Sequence, residues 1–325
     1  MKMAPILRAF ERYPEHEAVL IHTGQHYDAN LSTIFFDELG IKKPDLFLGV
    51  GSGSHAEQTA KLLVAMEQAF QKAAAEGKPF HRVVVVGDVN STMAATLTAA
   101  KLNIPVAHVE AGLRSFDRQM PEEINRIVTD GLSDMLLVSE PEGVTNLKNE
   151  GHTDEEIHLV GNVMIDTLLR QVEQAKQRST LSDMNVLAGE YCLVTLHRPS
   201  NVDQPETLGP LVDVLIEVSK DMPIVFPVHP RTRGRLEAFD LWEKLASAQG
   251  IKLRGPLGYN DFLGLSSQAK VIVTDSGGLQ EESTALLIPC LTMRENTERP
   301  ITVTEGTSTL CRPWFAAVDR KSTRL

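Results

Sequence analysis

Short runs of apolar, mostly β-branched residues recur along this chain, and each is followed by a stretch with helical spacing. Clear examples are Arg82–Asp88, Val106–Val109 and Val271–Thr274. Strands that lack polar alternation are buried on both faces, as in parallel sheets covered by helices. The pattern fills both halves of 325 residues, a length that corresponds to about two domains. The sequence therefore predicts an α/β fold of two Rossmann-like domains whose parallel sheets face a cleft.

The order of the elements divides the chain. We predict an N-terminal domain at residues 1–165, a second domain at 166–310 and an atypical tail at 311–325, where periodicity is lost. The chain opens on a helical pattern, Met1–Glu11, with no strand before it, and the first strand is predicted near Ala18–His22. A helix is expected at about Ala29–Leu39, and Cys290–Met293 is predicted as the last strand.

Composition restricts the partners. The chain is 42% hydrophobic and 23% charged, with a net charge of −11, which is typical of a globular protein and argues against nucleic acid or an anionic membrane as a partner. Three widely spaced cysteines show no metal pattern and fit a reducing cytosol. There is no membrane-length apolar run and no signal peptide. We expect a cytoplasmic protein without a metal site.

Polar residues follow five of the predicted strands. In open parallel sheets, ligands bind beyond the carboxyl ends of the strands. Those ends carry, in chain order, Asp88, Glu110, His197, His229 and Ser276. One such residue is an ordinary loop residue, but five at equivalent edges indicate a site.

Two carboxylates belong to neighbouring strands in the first half. Asp88 and Glu110 end strands joined by one helix, and Glu122 begins a later helix and can face them. Clustered carboxylates separate their pKa values, which supplies a general acid and a general base. The alternative is helix capping by Asp88 and a simple first-turn acid at Glu122.

The second half carries groups suited to a diphosphate. Ser276, Gly277 and Gly278 lie where a strand turns into a helix, so free amides and the helix dipole favour a phosphate there. Glu281 or Glu282, one turn further, can accept from ribose hydroxyls. The alternative is an ordinary turn capped by Ser276.

Basic residues near the other strand ends fit the same ligand. His197 with Arg198, and His229 with Arg231, supply cations or proton donors. Arg294 and Arg299 flank Glu298, and an ion-pair patch explains that arrangement equally well. The glycine-rich segment Gly49–Ser54 misses the dinucleotide pattern because its sixth position is serine, and no Walker loop, HExxH or paired Cys-x-x-Cys occurs.

Taken together, these stretches resemble the non-hydrolysing UDP-N-acetylglucosamine 2-epimerases. The matching motifs occur in the family's order over about residues 1–310: KMAP (2–5), TGQHYD (23–28), GDVNST (87–92), HVEAGLRS (108–115), MPEEINR (120–126), GN-x-x-ID (161–166), LHR (196–198), FPVHPRT (226–232), TDSGGLQEE (274–282) and RENTERP (294–300).

The resemblance implies a glycosyltransferase-B type fold and reversible inversion at C2 of a UDP-sugar, by UDP elimination to a 2-acetamidoglucal and re-addition, without a cofactor. It implies a homodimer. By motif, the acid/base carboxylates are Asp88, Glu110 and Glu122, and His197 assists UDP departure. Substrate-binding residues carried over in the same way are Lys2, His229, Ser276, Gly277, Gly278, Glu282 and Arg299.

The sequence also departs from the family pattern. Family members have a strand and a glycine–arginine loop ahead of the lysine matched by Lys2, so we expect the first sheet to lack a central strand. The tail from Cys311 breaks the pattern of C-terminal helices, and Leu287 stands where glycine is expected. We therefore expect residues 1–325 alone to be unstable or weakly active.

Three other functions remain open. A hydrolysing relative would release N-acetylmannosamine and UDP. A glycosyltransferase of the same fold would transfer the sugar to an acceptor. A non-catalytic module would only bind the UDP-sugar.

Overall fold

The computed structural model describes residues 1–24, 36 and 38–311. The predicted tail beyond Cys311, most of the predicted helix at 29–39 and the end of the TGQHYD motif lie outside these residues. The chain forms two compact units, Met1–Thr167 and a second that begins at Leu168, where the sequence suggested a boundary after residue 165. No helix among the described residues is both long and apolar enough to cross a membrane.

The first unit alternates strands and helices. Its elements are α1 (Met3–Phe10), β1 (Ile21–His22), β2 (Leu46–Phe47), α2 (His55–Ala75), β3 (Val83–Val86), α3 (Asn90–Lys101), β4 (Val106–Ala111), α4 (Pro121–Asp130), β5 (Met135–Val138), α5 (Pro141–Asn149), β6 (Ile157–Leu159) and α6 (Val163–Lys176), which continues into the second unit. Strands β3-β4-β5-β6 form a parallel sheet in that order, and among the described residues β1 pairs with β2 alone.

Local chemistry explains the longest of these helices. The Ser54 hydroxyl accepts from the amide of Glu57, whose carboxylate accepts from the amide of Ser54, so α2 begins with a complete capping box. Leu62, Met66 and Phe70 lie on its buried face, at the spacing of one side of a helix.

Strand β3 is an edge of its sheet. An open groove lined by Leu20, Ile21 and Val83–Val86 lies beside it, and β1 does not pair with β3. That the first sheet lacks a central strand stays a prediction. The predicted strand at Ala18–His22 is reduced to Ile21–His22.

The second unit contains one six-stranded parallel sheet of order β12-β11-β10-β7-β8-β9. Its elements are α7 (Thr180–Asp183), β7 (Cys192–Thr195), α8 (Pro199–Val202), α9 (Pro205–Val218), β8 (Ile224–Pro227), α10 (Pro230–Ala238), α11 (Trp242–Ala246), β9 (Ile251–Arg254), α12 (Tyr259–Ser266), β10 (Val271–Thr274), α13 (Gly277–Ala285), β11 (Cys290–Thr292), α14 (Ile301–Thr304) and β12 (Ser308–Leu310).

Both faces of this sheet are buried. Cys192 and Val194 belong to one hydrophobic cluster, and Leu193 between them belongs to another. Such burial explains the purely apolar strand sequences. The parallel α/β architecture predicted from the sequence is therefore observed in each unit. The prediction of Cys290–Met293 as the last strand was wrong, because β12 pairs with β11 in register.

Candidate active site

Glu110 lies near the end of β4, and its backbone has an unusual conformation. Its φ is +74°, and the register of β4 against β5 shifts between Val109 and Ala111. A non-glycine residue there costs about 1–2 kcal/mol, so the surrounding contacts must hold it. One is an ion pair between Lys2 Nζ and Glu110 Oε2, and the Glu110 side chain is 3% exposed.

Asp88 is close to this pair. It follows Gly87, where an added Cβ would lie 3.0 Å from Lys2 Nζ and 3.4 Å from Glu110 Oε2. Asp88 is 26% exposed on its side chain and pairs with Arg126 of α4. The structure thus brings Asp88 and Glu110 to one edge of the first sheet, as the sequence predicted, and it also places Lys2 there.

Arg126 is a member of this site that sequence reasoning missed. It is buried, and its Nη2 lies 2.7 Å from Glu123 Oε2 while its Nη1 contacts Asp88. Glu123 accepts the amides of Ser115 and Phe116 at 3.0 and 2.9 Å. Burial alone would raise the pKa of Glu123, but these amides and Arg126 hold it below its ordinary value. The i,i+3 spacing of Glu123 and Arg126 on a predicted helix was the sequence feature that could have indicated this ion pair.

Glu122 is arranged differently from Glu123. It is exposed in the first turn of α4, and among the described residues it has no ion-pair or hydrogen-bond partner. Its acid/base role stays a prediction. The sequence led us to expect carboxylates that repel one another. Instead, Asp88 is paired with Arg126, and Glu110 is paired with Lys2.

A buried network lies beside these carboxylates. His108 Nε2 is 2.9 Å from the carbonyl oxygen of Gly87, and its Nδ1 is 2.6 Å from Asp130 Oδ1. Arg114 lies 2.7 Å from Asp130 Oδ2. Burial opposes ionisation, yet His108 and Arg114 hold the pKa of Asp130 below its ordinary value. The network fixes the backbone that precedes Asp88.

In the second unit, two histidines lie near each other at strand ends. The ring centroids of His197 and His229 are 5.6 Å apart. His229 accepts the amide of Arg231 at 3.1 Å on Nδ1. Burial and the neighbouring His197 lower the pKa of His229. Arg231 pairs with Asp203, so it is held by a carboxylate on the surface.

The turn into α13 shows the helix-capping arrangement that the sequence left open as an alternative. Ser276 caps the helix, since its Oγ accepts the amide of Leu279 at 3.4 Å, which is the capping alternative. Gly277 has a packing reason as well: an added Cβ would lie 2.7 Å from Glu298 Oε1 and 2.8 Å from Arg299 Nη1. The predicted phosphate contacts of Ser276, Gly277 and Gly278 stay predictions.

Arg299 belongs to a buried ion-pair network. It contacts Glu298 through Nη1 and lies 2.8 Å from Glu281 through Nε, while Arg294 lies 2.7 Å from Glu298. Burial would raise the pKa of Glu298, but Arg299 and Arg294 hold it well below its ordinary value. The ion-pair alternative is therefore observed, and a contact of Arg299 with nucleotide stays a prediction.

Comparison with known proteins identifies the family of the chain. A model of the family described as UDP-N-acetylglucosamine 2-epimerase matches residues 8–325. The chain belongs to the UDP-N-acetylglucosamine 2-epimerase family.

Individual relatives of this epimerase chain cover nearly all of it. The UDP-N-acetylglucosamine 2-epimerase of Methanocaldococcus jannaschii is 44% identical over 95% of this chain and 84% of its own length. A Pseudomonas aeruginosa UDP-2,3-diacetamido-2,3-dideoxy-D-glucuronate 2-epimerase is 41% identical over 95% and 84%. The crystal structure of the M. jannaschii enzyme in complex with UDP-GlcNAc and UDP matches with a TM-score of 0.86 at 44% identity, covering 96% of this chain and 85% of that one. The predicted glycosyltransferase-B type fold is confirmed.

Glu282 of this epimerase chain is distinguished by its environment. It is 4% exposed. Burial, reinforced by the neighbouring Glu281, raises its pKa to about 7. A carboxyl group that keeps its proton near neutrality can donate as well as accept a hydrogen bond. Either form suits the predicted contact with ribose hydroxyls.

Proposed function

We propose that this chain catalyses the reversible C2 epimerisation of UDP-N-acetylglucosamine to UDP-N-acetylmannosamine. The observation that carries the proposal is the family match over residues 8–325. The site chemistry supports it, because Asp88 and Glu110 lie at one edge of the first sheet.

The reaction proceeds in two steps. In the first, a carboxylate removes the C2 proton, the C2–H electron pair forms the C1=C2 double bond, and the C1–O bond breaks with its pair leaving on UDP. In the second, the UDP oxygen attacks C1 and a proton is returned to C2 from the opposite face. The balance is an isomerisation, and it requires an acid, a base and a stabilised leaving group.

The residues divide between these tasks. We assign proton transfer at C2 to Asp88, Glu110 and Glu122. Lys2 neutralises charge beside Glu110, and we assign it to the phosphate side. Nucleotide binding is assigned to the second-unit residues His229, Ser276, Gly277, Gly278, Glu282 and Arg299, and assistance to UDP departure to His197.

The test is incubation with UDP-N-acetylglucosamine in D₂O, followed by proton NMR. We expect deuterium at C2 and the appearance of UDP-N-acetylmannosamine. Free N-acetylmannosamine with UDP would instead identify the hydrolysing reaction. Binding without exchange would identify a non-catalytic module. Because the P. aeruginosa relative is named for a diacetamido-glucuronate sugar, that UDP-sugar is the comparison substrate, and faster turnover of it would replace the substrate proposed here.

Asp88→Asn examines the assigned base. Arg126 keeps its ion pair with Glu123 in this variant, so we expect the fold and UDP binding to persist while C2 exchange is lost. Asp154→Asn is the matched control, since Asp154 is exposed and pairs only with the surface residue Lys148 among the described residues. Unchanged exchange in Asp88→Asn would remove Asp88 from the mechanism.

Two further features are inferred, the first from the family resemblance and the second from the cysteine usage. We infer a homodimer, which light scattering of the purified chain measures. We also infer a cytoplasmic location, which cell fractionation measures.

A further inference from the structure

The carboxylate of Asp275 is completely buried at the end of β10. Strand β10 pairs with β7, and His197 lies just beyond the end of β7. Asp275 Oδ1 is 2.8 Å from His197 Nδ1. The same carboxylate accepts the amides of His197 and Arg198, at 2.9 and 2.8 Å, and the Nδ2 of Asn201 at 3.0 Å.

This contact determines which ring nitrogen of His197 carries a proton. An ionised carboxylate only accepts hydrogen bonds, so Nδ1 must hold the hydrogen that lies between the two groups. The other nitrogen, Nε2, is then the only position at which the ring can gain or lose a proton. The His197 side chain is 41% exposed while that of Asp275 is 0% exposed, so the imidazole lies between a buried anion and the surface.

We propose that Asp275 is a positioning residue that holds His197 in the Nδ1–H tautomer, so that Nε2 exchanges a proton with the departing and returning diphosphate. This inference rests on the proposed function, which gives His197 its role in UDP departure. The buried carboxylate directs the ring without touching substrate, as in hydrolase triads.

The environment of Asp275 keeps it ionised for this task. Burial would raise its pKa, but the hydrogen bonds from His197, Asn201 and the amide of Arg198 hold it below its ordinary value. Asp275 therefore stays a carboxylate at neutral pH.

A purely structural role is the competing explanation, because Asp275 also ties down the amides of His197 and Arg198. Asn201→Ala serves as the control for that role. It removes one donor to the same carboxylate and one bond to the carbonyl of Met293, and it leaves the imidazole contact in place. A structural role predicts similar losses in Asn201→Ala and Asp275→Asn.

The first measurement needs no variant. Long-range ¹H–¹⁵N NMR of the parent chain at a pH where the ring is neutral reports the tautomer of His197, assigned by comparison with His197→Ala. We expect Nδ1 to be protonated and Nε2 to be bare. A ring protonated on Nε2 would overturn the proposal, whether or not the chain is an epimerase.

The second measurement is a double-mutant cycle of Asp275→Asn and His197→Ala, read as kcat for C2 exchange. We expect Asp275→Asn to lower kcat by about 10²-fold, the scale of one general acid–base contribution, with little change in KM. In the His197→Ala background it should lower kcat no further. Multiplicative losses would show that Asp275 acts independently of His197 and would overturn the proposal.

The two hypotheses fail differently. A folded parent chain that binds UDP-N-acetylglucosamine without C2 exchange refutes the proposed function, while the NMR result still decides the tautomer. A fully active His197→Ala variant refutes the role of His197, and with it that of Asp275, while leaving the epimerase function intact.

Discussion

Replacing Leu287 tests whether the backbone at the end of α13 is strained. Leu287 has a φ of +58°, and it follows the helix in a complete Schellman motif. The amide of Ile288 donates to the carbonyl of Ser283 at 2.9 Å, and the amide of Leu287 donates to that of Thr284 at 3.1 Å. Glycine is the usual residue at this position, which gives a physical reason for the glycine that the family resemblance led us to expect there.

The magnitude follows from comparing Leu287→Gly with Leu287→Ala, since both remove a side chain that is 80% exposed. A left-handed conformation costs alanine about 1–2 kcal/mol, and glycine loses about 0.5–1 kcal/mol more in backbone entropy on folding. Glycine should therefore exceed alanine in stability by about 0.5–1 kcal/mol.

Urea unfolding followed by tryptophan fluorescence measures this difference. Trp242 lies in α11 of the second unit, so its fluorescence reports the unfolding of that unit. Arg170, exposed within α6, provides the control pair, where glycine should be less stable than alanine by about 1 kcal/mol. The same sign at both positions would refute the strain at Leu287.

Two further predictions concern the nucleotide side. Glu282 has a pKa raised to about 7, so between the ordinary glutamate pKa and 7 the unfolded chain has lost a proton that the folded chain retains. The free energy of unfolding should fall as pH rises through that window and level off above it. In Glu282→Gln the urea midpoint should depend less on pH between pH 5 and 7. An unchanged dependence would contradict the assigned burial effect. Gly277→Ala should weaken UDP binding by about tenfold, or about 1.4 kcal/mol, because its Cβ would meet Glu298 and Arg299. Calorimetry with UDP measures this against Gly234→Ala, whose Cβ would meet nothing within 4 Å; equal affinities would show that the turn tolerates the methyl group.

The apolar strands were predictable because their burial is recorded in local composition. Val83–Val86 and Val271–Thr274 have no polar alternation. The first is an edge strand of its parallel sheet, and the second is an interior strand of the other sheet. Strand β12 was missed because Ser308–Leu310 is short and partly polar, and only its pairing with β11 makes it a strand.

The sequence by itself determined the parallel α/β architecture and the positions of Asp88, Glu110 and His197 at strand ends. Hydrophobic periodicity, and the alternation of strands and helices along the chain, can be read from local sequence. Only the tertiary structure decided the partners of these residues. Lys2 meets Glu110 across 108 positions of sequence, and Asp275 meets His197 across 78. No local pattern encodes such pairs, since each depends on how packed strands and helices bring distant side chains within hydrogen-bond distance.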